Sequence, residues 1–180
     1  MQPEKPPLAV LAELWAKLYY AFAIEILEDL GDERGWPLLR ACIRRYGRIR
    51  GEAVRQYVES KGLPITKENF VRYYDMPFAA VQRASLPLYP GAALPQSEGV
   101  TFCPYKEVWE RLPRGREIGL AYCEEFHKAM WAAYHPKLRV RQDQIMLRGD
   151  RICTFETYFE GETESIKTFE QKTHQKADTQ

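Results

Sequence analysis

No stretch of this chain reaches the ~20 consecutive apolar residues that a bilayer-spanning helix needs. The most hydrophobic run, Leu8 to Ala16, is interrupted by Glu13 and followed by Lys17, and neither a basic leader nor a small-residue cleavage site frames it as a signal peptide. Charge of one sign is also lacking. The 26 Lys and Arg against 25 Asp and Glu leave a formal charge of +1, which gives no global bias toward nucleic acid or an anionic membrane. The arginines lack the clustered aromatics of a nucleic-acid platform. Histidine is scarce, at three, and the four cysteines, Cys42, Cys103, Cys123 and Cys153, are too widely spaced for a CxxC zinc knuckle. No internal repeat is present. These absences leave a cytoplasmic protein that binds neither membrane nor nucleic acid, its cysteines free thiols in a reducing compartment.

What is present suits one well-buried domain: 180 residues, 45% of them apolar. Residues 1–165 are expected to form it, with 166–180 a polar, frayed tail. A dense helical pattern covers residues 8–30. Leu11, Leu14, Leu18, Phe22 and Ile26 form one stripe, Trp15 and Tyr19 lie beside it, and Gly31 is the stop. The stripe is wide enough to be covered on two sides, which admits a homodimer. Asp32 caps the next helix and Pro37 fits its first turn. That helix runs to about Lys61, with Leu39, Cys42, Ile43, Tyr46, Val54 and Tyr57 inward and Arg40, Arg44, Arg48 and Arg55 outward. Gly47 and Gly51 each cost ~1 kcal/mol in a helix interior, so they signal a close approach by another helix or a ligand.

Thr66 to Asp75 reads as a short capped helix. Residues 76–97, broken by four prolines, are expected to hide a short strand or to act as a lid. A strand end at Val100–Phe102 precedes helices at Pro104–Leu112 and Arg116–Tyr134. From Leu138 the period becomes two: Leu138–Val140 and Ile145–Leu147 lead to a turn at Gly149–Asp150, and Ile152–Phe159 return antiparallel. The fold class is therefore α+β, helices packed on a small antiparallel sheet that ends in a C-terminal β-hairpin.

The chemistry-bearing groups fall within about fifty residues of one another. Cys103 precedes Pro104 at a helix start, where unpaired N–H groups, the helix dipole and nearby Lys106 would lower a thiol pKa. Cys123 and His127, one turn apart, share a face with Tyr122, Phe126 and Met130, and suit either a thiolate–imidazolium pair or two ligands of one divalent transition metal. A core cysteine beside a histidine bonded to a carbonyl is the plain structural alternative. Cys153 alternates with Phe155 and Phe159 and faces the core. Glu124 and Glu125 are solvated charges, one of which could orient the histidine. Arg139 and Arg141 lie on one side of a strand, where a guanidinium fork could clamp a carboxylate. Cys42 reads as a core residue.

The run from Cys103-Pro104 through Cys123 to His135-Pro136-Lys137-Leu138 and Leu147-Arg148-Gly149-Asp150-Arg151-Ile152-Cys153-x-Phe155 resembles the L-2-amino-thiazoline-4-carboxylic acid hydrolase family. So does Arg45-Tyr46-Gly47-Arg48 with Arg50-Gly51. The closing hairpin also resembles 4-vinyl reductase-type small-molecule-binding domains. The first resemblance implies hydrolytic opening of a cyclic amidine that carries a carboxylate, on the route to cysteine. The corresponding expectation is a hydrolase of a C–N bond in a small carboxylated heterocycle. Cys103 serves as nucleophile or metal-bound thiolate, His127 transfers protons, Cys123 and Cys153 complete the pocket or metal shell, and Arg139 or Arg141 holds the carboxylate. The rivals are a non-catalytic small-molecule-binding domain and a thiol or metal sensor.

Overall fold

The structure, a computed structural model, describes residues 5–92 and 99–161; the tail at 166–180 lies outside them. Helix α1 (Pro7–Ser60) is kinked at Gly31, whose φ of 68° and ψ of 168° leave the helical region, so the glycine expected to end one helix joins two helical segments. There follow α2 (Lys67–Arg72), α3 (Phe78–Ser85), a 3-10 turn at Leu86–Leu88, α4 (Pro104–Trp109) and α5 (Gly115–Tyr134). Two strands, β1 (Leu138–Arg141) and β2 (Glu156–Phe159), pair antiparallel with Leu138 opposite Phe159 and Arg141 opposite Glu156. The architecture is α+β, mostly helical, with the small sheet at the C-terminal end. Among the described residues no helix is long and apolar enough to cross a membrane.

The core sits between α1 and α5, and small residues on α1 let the two come close. A Cβ on Gly47 would lie 2.7 Å from the Phe126 carbonyl oxygen, and one on Gly51 only 2.1 Å from that of Met130. This is the close approach that the paired glycines signalled. The same logic holds in the first half of α1, where Ala9, Ala12, Ala16 and Ala23 are buried. Trp109 lies across that face and its indole N–H donates to the Ala16 carbonyl at 3.0 Å. Trp15 meets Tyr105 and Tyr122 edge-on at 4.8 and 5.2 Å, and Tyr19 meets Trp109 at 5.4 Å.

The large apolar stripe consequently points the other way. Leu11, Leu14, Leu18 and Phe22 are exposed, so the chain itself covers one side of the helix only: the aromatics already fill the inward space, and alanine is what fits against them. Cys42 and Tyr57 are exposed too, because Leu39, Ile43, Val54 and Val58 take the inward positions of α1.

Within residues 76–97, of which 93–97 lie outside the described residues, residues 78–85 form a helix where a short strand was one expectation. Pro77 stands at its N-cap and Pro87 in the first positions of the 3-10 turn, where a missing N–H costs nothing. The Thr66 hydroxyl caps α2 by accepting from the Asn69 N–H at 3.3 Å, as its sequence position implied. The hairpin differs in its middle. Residues 146–148 form a 3-10 turn, not a strand, because side chains take the backbone N–H groups a ladder would use. The Asp150 carboxylate accepts from the Ile145 N–H at 2.7 Å, and the Cys153 thiol from Met146 at 3.2 Å. Cys153 then bridges to Val100, each N–H donating to the other's carbonyl at 2.9 Å. Phe155, expected inward, is exposed in the irregular stretch between that bridge and β2.

Candidate functional site

Cys103 occupies the N-cap of α4, as its sequence position suggested, but it does not gain the anion-stabilised thiol expected there. Burial pushes its pKa up to about 11; the N–H groups of Tyr105 and Lys106 favour the thiolate and only partly oppose this. A six-residue helix has little dipole, its thiol makes no capping hydrogen bond, and the Lys106 ammonium is held by Glu110 at 2.6 Å and Glu107 at 3.4 Å. Desolvation wins. The residue as a whole is half-buried while its thiol end is enclosed. Its position is fixed from the preceding residue, whose carbonyl accepts from the buried Gln82 amide at 2.6 Å. Sequence reasoning passed over Gln82.

Cys123 and Cys153 are likewise neutral thiols. Burial raises the Cys123 thiol far above its usual value, and thiolates at Cys103 and Cys153 would raise it further; burial likewise raises Cys153. A charge on one thus opposes a charge on the others, so the three thiols rest in the neutral form. His127 lies one turn along α5 from Cys123, and among the described residues no hydrogen bond joins it to any of the three thiols. Its ring is edge-on to Phe155 at 4.7 Å and to Phe126 at 5.1 Å. Burial, aided by the Arg50 charge, lowers its pKa to about 4, so the imidazole is neutral at pH 7 and no thiolate–imidazolium pair forms at rest.

A consequence follows for stability in acid. A histidine whose folded pKa lies below its ordinary 6.5 contributes stability that is intact above 6.5 and is lost as pH falls toward 4. The melting temperature should therefore fall between pH 6.5 and 4 more steeply in the wild type than in His127→Phe, and the imidazole NMR titration should have a midpoint near 4. A midpoint near 6.5 would show the ring to be solvated.

Among the described residues, no three His, Cys, Asp or Glu side chains are grouped as a metal site. The metal expectation gains no support from the donor geometry.

Arg50 is the residue that sequence reasoning missed. It is buried in the α1–α5 interface, its guanidinium near the rings of Tyr46, Tyr74 and Phe126 at 5.1 to 5.6 Å. Its Nε donates to the half-exposed Asp75 at 2.9 Å and its Nη2 pairs with the same carboxylate, while its buried Nη1 has no hydrogen-bond partner among the described residues. Close to this charge run the hydroxyls of Tyr74, Tyr105 and Tyr122, all raised in pKa mainly by burial; Cys103 adds to the shift at Tyr105, and Cys123 to that at Tyr122. The Arg50 charge thus acts on Tyr74, Tyr105, Tyr122 and His127 alike. The sequence did hold a signal for it. Ile43, Gly47, Arg50, Val54 and Val58 recur at helical spacing, which puts Arg50 on the buried stripe.

Arg139 and Arg141 stand on the outer side of the two-stranded ribbon, opposite inward Leu138 and Val140. Arg139 pairs with Glu160 at 2.6 Å, and Arg141 with Glu156 and Asp143. Glu124 and Glu125 likewise do not orient the histidine: Arg40, Arg44 and Arg148 hold them at the mouth of an open cavity of about 330 Å³ that Lys128 and Gln142 also line.

Among protein families, the model of the L-2-amino-thiazoline-4-carboxylic acid hydrolases matches residues 12–157, a span that takes in Arg50 and all four cysteines. No curated protein and no solved structure matches the chain.

Proposed function

We propose, on the premise that the chain belongs to the L-2-amino-thiazoline-4-carboxylic acid hydrolase family, that it hydrolyses a small carboxylated heterocycle at a cyclic amidine carbon. The observation that supports the reading is that burial keeps the Cys103, Cys123 and Cys153 thiols and the His127 imidazole uncharged at rest, with the charge of buried Arg50 acting on that imidazole. A protonated cyclic amidine is a cation. Brought into a low-dielectric site, it lowers the pKa of the thiol that faces it, as any adjacent positive charge does. The substrate thereby supplies the charge that the resting site lacks. Cys103 then adds to the electrophilic amidine carbon, the tetrahedral adduct collapses with cleavage of the ring C–N bond, and water hydrolyses the resulting Cys103 adduct to release product and free thiol; where Cys103 instead directs water to the carbon, the same C–N bond breaks from the hydrated adduct. His127 has a free lone pair at pH 7 and accepts the proton released. Cys123 and Cys153 shape the pocket.

The substrate carboxylate we assign to Arg50, whose Nε and Nη2 hold Asp75 but whose buried Nη1 has no partner among the described residues, and not to Arg139 or Arg141, which pair with Glu160 and Glu156 on the outer side of the ribbon. Arg50→Lys keeps the charge opposite Asp75 but loses the planar fork. It is expected to raise KM about tenfold or more, the scale of one charge-assisted hydrogen bond, with a smaller change in kcat. The same loss should be absent for a substrate in which a carboxamide replaces the carboxylate. Unchanged KM would remove Arg50 from the site.

The reading itself is tested by incubating the purified chain with 2-amino-thiazoline-4-carboxylate and following the gain of one water by mass spectrometry. The binding-module reading has its own support, because all three thiols rest protonated. Calorimetric binding of the same compound without turnover would favour that reading, and turnover would exclude it.

A further inference from the structure

The outward face of the first half of α1 is apolar over most of its length. Its exposed positions from 7 to 22 are Pro7, Leu8, Leu11, Leu14, Lys17, Leu18, Ala21 and Phe22, a single charge among eight residues. Leu11, Leu14, Leu18 and Phe22 are 57–66% exposed, and Leu8 37%. Surface leucines scattered singly are ordinary; a continuous row at spacings of three and four along one helix is the pattern of a helix–helix seam. At 1.5 Å per residue the row extends about 21 Å. None of these side chains is needed inside, since the alanine face of the same helix already meets the core aromatics.

Charge selects what covers the row. Its C-terminal end carries exposed Glu25, Glu28 and Asp29, which have no ion-pair partner among the described residues. Toward its N-terminal end stands Lys5, which pairs with Glu13, and Lys17, past the midpoint of the row, shares that carboxylate. The row is therefore acidic beyond its C-terminal end and basic at Lys5 beyond its N-terminal end, with Lys17 the one charge between. Such a surface complements itself when reversed. An anionic lipid surface would repel the acidic end, and a second copy laid parallel would stack the three acids on their counterparts.

We propose that this face binds the same face of a second copy, antiparallel, about a two-fold axis near Leu14. In that register Leu11 faces Leu18, Leu8 faces Phe22, and Lys5 comes opposite Glu25. The arrangement is isologous and closes at two subunits. It leaves the thiol interior untouched, because that interior lies on the opposite side of α1.

The test uses the full chain. Sedimentation at micromolar to sub-millimolar concentration should give a dimer for the wild type and a monomer for the double variant Leu14→Glu/Leu18→Glu. Helical circular dichroism and cooperative melting should be retained, since both positions are exposed. Direction is read by disulfide trapping in a Cys42→Ser background, which removes the exposed native thiol. Leu14→Cys alone should form a covalent dimer. Leu8→Cys and Phe22→Cys should crosslink when mixed and not singly. A monomeric wild type, a dimer that survives the double glutamate variant, or self-crosslinking of both Leu8→Cys and Phe22→Cys would each overturn the proposal.

Discussion

Gly51→Ala is expected to lower the melting temperature by on the order of 10 °C, and Gly47→Ala by less. A methyl group at position 51 would sit 2.1 Å from the Met130 carbonyl oxygen, and at position 47 it would sit 2.7 Å from that of Phe126. The obstacle in both cases is helix backbone, which cannot rotate aside as a side chain can. α1 and α5 must move apart, and overpacking of this kind costs about 1–3 kcal/mol or more. Against this stands the ~1 kcal/mol that alanine gains over glycine in a helix interior. For a domain of this size each kcal/mol corresponds to about 2–4 °C, so the expected drop requires a net loss near the upper end of that range. The effect should reach function as well. Arg50 precedes Gly51, while Phe126 and His127 lie across the seam, so parting the helices pulls the guanidinium away from the imidazole and thiols. Thermal unfolding of the two variants checks the rank order. An unchanged melting temperature in Gly51→Ala would mean that the helices pack less closely than described.

These glycines also mark how much the sequence revealed. Their spacing, the Thr66 cap, the prolines at helix starts and the period-two alternation after Leu138 each have a local cause, and local causes are legible. Which face of a helix turns inward is not local. On α1 the bulky stripe lost to the alanines because Trp109, Tyr105 and Tyr122, distant in sequence, fill the groove. Cys42 was misplaced for the same reason. The thiol of Cys103 shows a second kind of limit. Its N-cap position was readable, but the sign of its pKa shift depends on a competition between a short helix dipole and desolvation, and only the packing decides that contest. Arg50 was legible in principle, since its helical phase matches Ile43, Gly47 and Val54. It was hidden by the assumption that a helix rich in arginine shows all of them to solvent.

The functional assignment meets its strongest test at Cys103. Cys103→Ser is expected to retain the fold, because serine caps a helix at least as well as cysteine, and to lose turnover by about 10³-fold or more through removal of the thiol nucleophile. Cys42→Ser, on the exposed side of α1, should leave both unchanged. Alkylation separates the resting state of the thiol from its role in turnover. At pH 7 iodoacetamide should label Cys42 well before Cys103, since a thiol with a pKa near 11 carries very little thiolate there. Labelling of Cys103 should rise about tenfold per pH unit until that pKa is approached. The neutral thiol also favours the folded state. Because its folded pKa is raised above the ordinary 9.0, that contribution is intact below pH 9 and is lost as pH climbs toward 11. A thiol so protected at rest is compatible with catalysis only if the bound cation generates the thiolate. Turnover by the wild type at pH 7, lost in Cys103→Ser while Cys103 resists alkylation in the free protein, would fit that substrate-assisted route. Rapid alkylation of Cys103 at pH 7 would contradict the burial on which it rests, and full activity in Cys103→Ser would move the chemistry to water or to Cys123.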